Sequence, residues 1–363
     1  MNADLLYQLA LTLVPNIGDV HAKTLVYHFG DAASVFKART AELECIEGIG
    51  RARAAAVKAF SDFAAAEKEL RFIEQHHIQP LFLTDPAYPQ CLLNCQDSPT
   101  LLFYKGQVDL NASKVVAIVG TRTHSEYGRS MTEKLVQDLS AHNILVVSGL
   151  AYGIDAIAHK AAIKNGLPTV GVVGHGLDKV YPADHTALAR EMMQEKGGLL
   201  TEFFSATLPD KHHFPLRNRI VAGMSDATVV IETHIKGGSL ITAKLADGYH
   251  RDVFAVPGRV NDPKSAGCNF LIQHNKAILL QLADDLLDAM GWNEKKKEKR
   301  KLQKELFIEL SHEEKLLTQL LQEKEAVHID ELNLRSGLSN SAIAAAILNL
   351  ELQSHSFATG QNV

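Results

Sequence analysis

Residues 115–122 read Val-Val-Ala-Ile-Val-Gly-Thr-Arg, a short apolar run that ends in a glycine. Similar runs at residues 144–149, 169–174, 227–232 and 252–258 end in Ser-Gly, Gly, Glu and Pro-Gly. Strands that are apolar throughout are typical of a parallel sheet whose two faces are both covered by helices. Helical patterns separate the runs. The sequence therefore predicts an α/β fold with a mostly parallel sheet.

Composition and pattern divide the rest of the chain around this core. The four predicted regions are residues 1–70, 71–292, 293–308 and 309–363. The first is rich in Ala and Leu at helical spacing, and the second holds the sheet, with two further strands expected at residues 81–83 and 101–104. The third is a charge run that predicts a solvated linker, although its positive charge also suits a nearby phosphate backbone. The fourth predicts a small helical module.

The overall composition excludes some classes of protein. The chain has 363 residues, 46% hydrophobic and 22% charged, as in soluble globular proteins of two or three domains. The 37 Lys and Arg against 42 Asp and Glu give a net charge of −5. This excludes a histone-like DNA packer but leaves room for a local basic groove. Four scattered cysteines argue against a secreted disulfide framework, and no signal peptide or membrane-spanning run is recognised. We expect a cytoplasmic protein.

The first region contains a helix-hairpin-helix pattern. Residues 46–54 read Ile-Glu-Gly-Ile-Gly-Arg-Ala-Arg-Ala, and residues 15–23 form a weaker second copy. The glycines let backbone N–H groups approach a phosphate at the start of the second helix, where the helix dipole is positive. A packing hairpin without any ligand explains the pattern equally well, so both interpretations stay open.

The last region contains a helix-turn-helix or winged-helix pattern. Residues 328–332 and 338–343 suggest a helix, a turn and a second helix that is capped near Ser339. Such a module binds DNA or protein. The sequence stops at residues 360–363, where a closing wing strand would be expected, so we expect this module to be truncated or only partly formed.

Glycine-rich turns follow several of the predicted strands. They are residues 120–122, 148–155, 174–178 and 237–243. Open α/β sheets bind ligands at the carboxyl ends of their strands, and turns of this kind hold anions with backbone N–H groups. The first turn lacks the GxGxxG pattern of dinucleotide sites, and no GxxxxGK[ST] phosphate loop is present. Nucleotide enzymes of both classes are therefore poorly supported.

Residues 214–220 read Phe-Pro-Leu-Arg-Asn-Arg-Ile, with Lys211 just before them. On a helix Arg217 and Arg219 would diverge by about 200°, so one can face a phosphate while the other pairs internally. The alternative for either arginine is a structural pairing with Glu232 or Asp155. No catalytic trio stands out, and a single CxxxC pair makes zinc improbable. We expect neither a metal nor a cofactor.

Six ordered motifs resemble the DNA-processing protein A (DprA/Smf) family. They are Gly-Thr-Arg-x4-Tyr-Gly at 120–128, Ser-Gly-Leu-Ala-x-Gly-Ile-Asp-x3-His at 148–159, Gly-Leu-Asp-x2-Tyr-Pro at 176–182, Phe-Pro-x-Arg-Asn-Arg-Ile at 214–220, Gly-Ser-Leu-Ile-Thr-Ala at 238–243 and Arg-x-Val-Phe-Ala-Val-Pro-Gly at 251–258. The match runs through the whole central domain in the order of the family, and the flanking regions fit as well. Chance similarity over so many motifs is very improbable.

The resemblance implies a Rossmann-like core between a helix-hairpin-helix (SAM-like) domain and a winged-helix-like domain. It implies a homodimeric binding protein for single-stranded DNA that protects incoming strands in natural transformation and helps load the RecA recombinase. It also implies that Arg122, Lys211, Arg217 and Arg219 contact DNA and that the segment from Gly267 to Leu280 forms the dimer interface. Such a protein is not an enzyme.

Two sets of residues follow from the turns and the resemblance together. The predicted DNA-binding residues are Gly120, Thr121, Arg122, Gly149, Gly153, Gly174, Gly176, Lys211, Phe214, Arg217, Asn218, Arg219, Gly238, Ser239 and Thr242. The predicted dimer-interface residues are Leu271, Ile272, Ile278 and Leu279. The alternative function is a nucleotide-processing enzyme of the phosphoribohydrolase type, because Gly237 and Gly238 precede a helix. That chemistry needs a glutamate soon after the loop, whereas the first acid here is Asp247.

Overall fold

The computed structural model describes residues 3–293, 310–322 and 327–359. The chain forms two compact units, residues 1–293 and 294–363. All of the predicted linker except Asn293 lies outside the described residues.

In the described part of the chain, nine strands form one sheet in the order β1-β2-β6-β5-β4-β3-β7-β8-β9. The strands are β1 (Gln79–Phe82), β2 (Leu101–Gly106), β3 (Val115–Val119), β4 (Leu145–Ser148), β5 (Thr169–Val172), β6 (Gly197–Thr201), β7 (Ala227–Val230), β8 (Asp252–Ala255) and β9 (Ile278–Leu279). All neighbours from β6 to β9 pair in parallel, whereas β2 is antiparallel to both β1 and β6. The predicted mostly parallel α/β sheet is confirmed.

Helices connect the strands and cover both faces of the sheet. In this part of the unit they are α7 (Gln90–Leu93), α8 (Glu126–Leu139), α9 (Ile154–Lys164), α10 (Thr186–Gln194), α11 (His213–Gly223), α12 (Gly238–Gly248), α13 (Ala266–Gln273) and α14 (Ala283–Ala289). One hydrophobic core joins one face of the sheet to α8, α9 and α14, and a second core joins the other face to α11, α12 and α13.

The central strand β3 explains why the sequence has an unbroken apolar run there. Val115, Ala117 and Val119 belong to one core, while Val116 and Ile118 belong to the core on the opposite face. All five residues are buried, because successive side chains of a strand point to opposite faces and helices cover both.

The amino-terminal region consists of six helices. They are α1 (Ala3–Leu13), α2 (Asp19–Phe29), α3 (Ala32–Lys37), α4 (Thr40–Glu44), α5 (Gly50–Ala59) and α6 (Ala64–His76). Helix α6 runs six residues beyond the boundary predicted at residue 70 and ends before His77, which is left-handed with φ 51°. The helices share a core with Phe82, Leu101 and Phe103 of β1 and β2, so they pack directly on the sheet domain.

The described part of the second unit contains α15 (His312–Gln322), α16 (Ile329–Ser336) and α17 (Asn340–Thr359). Leu317, Leu332, Ile343 and Ala346 form its core. The chain end, where a wing strand would be expected, lies outside the described residues. None of the helices described for this chain is both long enough and apolar enough to span a membrane.

Candidate functional site

The strand order reverses between β3 and β7, which are neighbours in the sheet although they are far apart in sequence. At such a switch point the loops leave in opposite directions and open a crevice at the carboxyl ends of the strands. A cleft of about 450 Å³ lies there. It is lined by ten of the predicted residues: Gly120, Thr121, Arg122, Lys211, Phe214, Arg217, Asn218, Gly238, Ser239 and Thr242.

The turn after β3 is fixed by hydrogen bonds to the buried Glu232, which follows β7. The N–H of Thr121 donates to the main-chain oxygen of Glu232 at 2.7 Å, and the N–H of Ser125 donates to its carboxylate at 2.9 Å. The Ser125 hydroxyl donates to the same carboxylate. The turn is therefore fixed, and the exposed Arg122 projects from it with its guanidinium 5.4 Å from the centre of the Phe214 ring.

The turn after β4 is organised around Asp155. Its carboxylate accepts hydrogen bonds from the N–H groups of Gly149 at 3.2 Å and Ala151 at 3.3 Å. Arg217 packs so close to this turn that a Cβ at Gly149 would lie 1.6 Å from its Nη1, so a larger residue there would displace the guanidinium. Burial raises the pKa of Asp155, and the nearby Arg217 opposes this rise.

Two buried polar atoms on the cleft have no hydrogen-bond partner among the described residues. They are Nε of Arg217, which is 6% exposed, and Oγ of Ser239, which is 7% exposed. Burial lowers the pKa of Arg217, and Asp155 opposes that shift. Ser239 lies in the first turn of α12, whose amino terminus carries no side-chain cap. A buried donor without a partner costs free energy, so both atoms would gain from acceptor oxygens on a ligand in the cleft.

Arg219 does not line the cleft, because its guanidinium is held by partners within the protein, and its contact with DNA stays a prediction. Both arginines lie on α11, and their side chains diverge as the helical spacing predicts. The guanidinium of Arg219 pairs with Glu202 and, at 3.1 Å, with Asp19, and it also donates to the main-chain oxygen of Asp97. These partners differ from the predicted alternatives, Glu232 and Asp155. Burial raises the pKa of Glu202 to about 7 against the effect of Arg219.

A smaller pocket of about 100 Å³ adjoins the cleft. Gly149 and Gly174 line it, together with Arg122, Phe214 and Arg217, which also line the cleft. The sequence did not predict that His175 and Tyr181 would line it as well.

Tyr181 stacks on Phe214 with ring centres 5.9 Å apart and an interplanar angle of 30°. The Tyr181 N–H donates to Nε2 of His175 at 3.2 Å, and burial lowers the pKa of His175. The Tyr-Pro pair at residues 181–182 was the available signal.

Two predicted glycines line neither space. Gly153 is the amino-terminal cap of α9, with φ 80°. Gly176 is buried, and its N–H donates to the main-chain oxygen of Thr207 at 3.1 Å. In this structure Gly153 shapes the local backbone and Gly176 packs within a loop, and contact of either with DNA stays a prediction.

The four predicted interface residues separate into two groups. Ile278 and Leu279 on the edge strand β9 are 45% and 41% exposed, and Ile272 is half-buried. Leu271 is 2% exposed and belongs to the core of this unit, so this structure gives it a packing role and its place in an interface stays a prediction. It lies on the face of α13 that packs on the sheet, and the apolar residue type alone does not distinguish a core from an interface.

The weaker amino-terminal hairpin is engaged by the sheet domain. The Lys23 ammonium donates to the main-chain oxygens of Leu93 and Cys95, and Asp19 accepts from the N–H and hydroxyl of Thr100. Packing therefore accounts for this hairpin, while the stronger hairpin at residues 46–54 stays open to both interpretations. Within residues 3–293, 310–322 and 327–359, no group of three or more His, Cys, Asp or Glu side chains could hold a metal ion.

Known proteins resemble this chain over most of its length. A family model described as DNA recombination-mediator protein A matches residues 79–291, and one described as DprA winged helix domain matches residues 308–355. Protein Smf from Synechocystis sp. is 36% identical over 300 residues, which are 80% of this chain and 73% of that protein. DNA processing protein DprA from Streptococcus pneumoniae is 41% identical over 206 residues, which are 57% of this chain and 72% of that protein.

Two solved structures share the fold. The structure of DNA processing protein A from Streptococcus pneumoniae superposes with a TM-score of 0.65 at 34% identity and covers 79% of this chain and 98% of its own. DNA processing protein A from Helicobacter pylori, whose structure was described for its single-stranded DNA binding mode, gives a TM-score of 0.53 at 27% identity. It covers 59% of this chain and 95% of its own.

Proposed function

The chain belongs to the DNA recombination-mediator protein A (DprA/Smf) family, and from this premise we propose that it binds single-stranded DNA in the cleft between the ends of β3 and β7. One observation carries the proposal: Nε of Arg217 and Oγ of Ser239 are buried on the same cleft and lack partners among the described residues. Phosphate oxygens are acceptors that suit both donors, and a charged acceptor strengthens such bonds.

The charge of the cleft supports a polyanion as the ligand. Arg122, Lys211 and Arg217 line it, against Asp155 as the one carboxylate among its lining residues. The amino terminus of α12 adds the positive end of a helix dipole, with backbone N–H groups that have no side-chain cap. Phosphates would contact these groups, and their binding would release counterions, so affinity should depend strongly on salt.

The aromatic side chains beside the cleft favour a single strand over a duplex. Phe214 and Tyr181 stack at the mouth of the smaller pocket, and Arg122 lies over Phe214. A base that enters this pocket can stack on them, as in other proteins that bind single strands. The bases of a duplex are paired and cannot enter without being unpaired, which costs free energy.

The biological role we infer follows the family. The protein would protect incoming single strands in the cytoplasm during natural transformation and help load the RecA recombinase on them. It would act as a homodimer, with the exposed Ile278 and Leu279 and the half-buried Ile272 at the interface.

We also infer that the cleft binds without turnover. The alternative, a phosphoribohydrolase, needs a glutamate soon after the Gly-Gly loop, and the first acid on α12, Asp247, lies outside the residues that line the cleft. Asp155 does line the cleft, but it is occupied by the N–H groups of its own turn. Incubation of the protein with nucleoside monophosphates should release no base. Base release that depends on Asp155 would contradict this inference.

The test of the function is a titration of labelled oligodeoxythymidine and of a matched duplex at several salt concentrations. We expect the wild type to prefer the single strand. Arg122→Ala should weaken that binding and make the slope of log affinity against log salt shallower by about 0.7, the value for one phosphate contact. Arg122 is exposed, so its removal leaves the core intact.

Arg190→Ala is the matched control, because Arg190 is exposed on α10 and lines neither the cleft nor the smaller pocket. It should change neither affinity nor slope. Equal binding of both DNA forms would refute the preference for single strands. An Arg122→Ala variant that matches the wild type in affinity and slope would refute the cleft as the DNA site.

A further inference from the structure

A second concave surface lies between α8 and α9 on the outer side of the sheet domain. This α8–α9 groove has a volume of about 530 Å³, and its polar lining residues include His124, Arg129, Glu133, Gln137, Lys160 and Lys164. The spacing explains how two helices build it: Arg129, Glu133 and Gln137 recur every fourth residue along α8, and Lys160 and Lys164 do so along α9. Residues four apart lie on the same face of a helix.

The groove is cationic in a chain whose net charge is negative. The side chains that line it include Arg129, Lys160 and Lys164 against one carboxylate, Glu133, which pairs with Arg129 at 3.0 Å. Lys160 and Lys164 are exposed, and neither ammonium pairs with a carboxylate of the described residues. Two exposed ammonium groups one helical turn apart repel each other, which costs free energy until an anion binds between them.

The groove begins where the cleft ends. Arg122 lines the cleft and His124 lines the groove, and only Thr123 separates them in the turn after β3. Both α8 and α9 start at this edge of the sheet, because each follows a strand that ends there. The groove therefore leads away from the cleft, down the outer face, over a helix of 14 residues or roughly 21 Å.

We propose that the α8–α9 groove is a second contact site for the same single strand, which leaves the cleft past Arg122 and His124 and continues over Lys160 and Lys164. The proposal rests on the function proposed above. It assigns the groove beyond His124 to the phosphates, because no Phe, Tyr or Trp ring lines the groove for a base to stack on. Lysines act there as point charges on flexible stems, which suits a backbone of variable path.

Continuity with the cleft favours DNA over an acidic protein as the occupant. A strand held by Arg122 brings its next phosphates to the mouth of the groove at no further cost in translational freedom, so even weak contacts there add to affinity. A protein partner would have to bring its own buried interface, and the rim offers it one half-buried apolar side chain, Ile157.

The test uses the full-length chain with the substitutions Lys160→Glu and Lys164→Glu combined. An oligodeoxythymidine of about 6 nucleotides lies near the lower end of the roughly 4–16 nucleotides that one small fold covers, and one of about 24 nucleotides exceeds that range. We expect the affinity for the long strand to fall on the order of tenfold and its salt slope to become shallower by about 1.4, the value for two phosphate contacts. The affinity for the short strand should not change.

Lys134→Glu is the matched control, since Lys134 lies on α8, lines no part of the groove and pairs with Asp138. It should leave both affinities as in the wild type. Unchanged affinity of the doubly substituted chain for the long strand, which is also the result expected if the groove binds an acidic protein, would overturn the proposal. Equal weakening for both lengths would overturn it too, because the effect would then arise in the cleft.

The short strand separates this proposal from the proposed function. Its binding, and the loss of that binding in Arg122→Ala, reports on the cleft alone. The proposal for the groove can therefore be refuted while the proposal for the cleft is upheld. A wild type that does not bind the short strand would instead refute the function from which the groove proposal starts.

Discussion

Arg217 and Arg219 lie on the same helix, two residues apart, and end in opposite environments. Arg217 faces the cleft, where Asp155 is its charged neighbour and its Nε lacks a partner among the described residues. Arg219 faces the amino-terminal helices, where Glu202, Asp19 and the main-chain oxygen of Asp97 surround its guanidinium. Two buried arginines of similar exposure thus differ in whether the protein itself satisfies them.

This difference distinguishes an arginine that is available to bind a ligand from an arginine that stabilises the fold. A buried charge whose partners are all internal contributes to stability, and its removal leaves those partners unpaired. A buried charge with unused hydrogen-bond donors contributes less to the stability of the fold, and those donors are available to a ligand. Three substitutions test the distinction, and they are ordered here by the size of the expected effect.

Arg219→Met should have the largest effect, a loss of about 3–5 kcal/mol in the free energy of unfolding, because it leaves the carboxylate of Glu202 buried without its partner. Urea denaturation of the full-length chain at pH 8, above the pKa of about 7 that Glu202 has beside Arg219, measures the loss. Arg39→Met is the control, since its pair with Glu42 is exposed, and it should change little. A loss for Arg219→Met no larger than that of the control would contradict a structural role.

Glu202 should make the stability of the protein depend on pH. Burial raises its pKa from about 4.5 to about 7, so between these values the folded state holds more protons than the unfolded state. The free energy of unfolding should therefore fall as the pH rises from 4.5 to 7, by on the order of 3 kcal/mol from this group.

Glu202→Gln removes the titratable carboxyl group and should therefore remove that part of the pH dependence. Denaturation curves at pH 5, 6, 7 and 8 for both chains give the comparison. If the two chains lose stability in parallel over this interval, another group is responsible and the raised pKa is not that of Glu202.

Arg217→Met should have the smallest effect on stability and a clear effect on binding. Loss of charge-assisted hydrogen bonds of about 1.5–3 kcal/mol lowers the affinity for single-stranded DNA roughly 10- to 100-fold. The unfolding free energy should fall less than in Arg219→Met, because Asp155 keeps the N–H donors of Gly149 and Ala151.

Fluorescence anisotropy and urea denaturation on the same preparation measure both quantities. Arg217→Lys keeps the charge without the planar fork and should retain part of the affinity. A variant as destabilised as Arg219→Met that binds DNA normally would reverse the comparison.

The sequence alone was sufficient for the central strands. Strands β3, β4, β5, β7 and β8 are covered on both faces, which requires the unbroken apolar runs from which they were predicted. Strand β6 was missed because it opens with Gly197 and Gly198, which suggest a turn. A side chain at Gly198 would lie 2.6 Å from the ring of Tyr104 on β2, so the pairing of two distant strands determines that residue.

The sequence predicted most of the residues that line the site, but it did not predict which side chains contact one another there. The helical spacing of Arg217 and Arg219 implies that they diverge, but it does not decide which of them reaches the cleft. That depends on Glu202, at the end of the missed strand, and on Asp19, in the amino-terminal helices. Tyr181 stayed hidden for the same reason, because its stacking on Phe214 joins a loop residue to the first turn of α11.

The bond between Asp19 and Arg219 joins residues that are 200 positions apart in the chain. During translation, at about 5–20 residues per second, Asp19 leaves the ribosome roughly 10–40 s before its partner. Strands β1 and β2 are synthesised early in that interval and can then cover the apolar face of the first helices. The ion pair between Asp19 and Arg219 cannot form until Arg219 has been synthesised. The amino-terminal domain of the nascent chain therefore waits for α11 to be synthesised before it reaches its final state, and chaperones have that time in which to bind it.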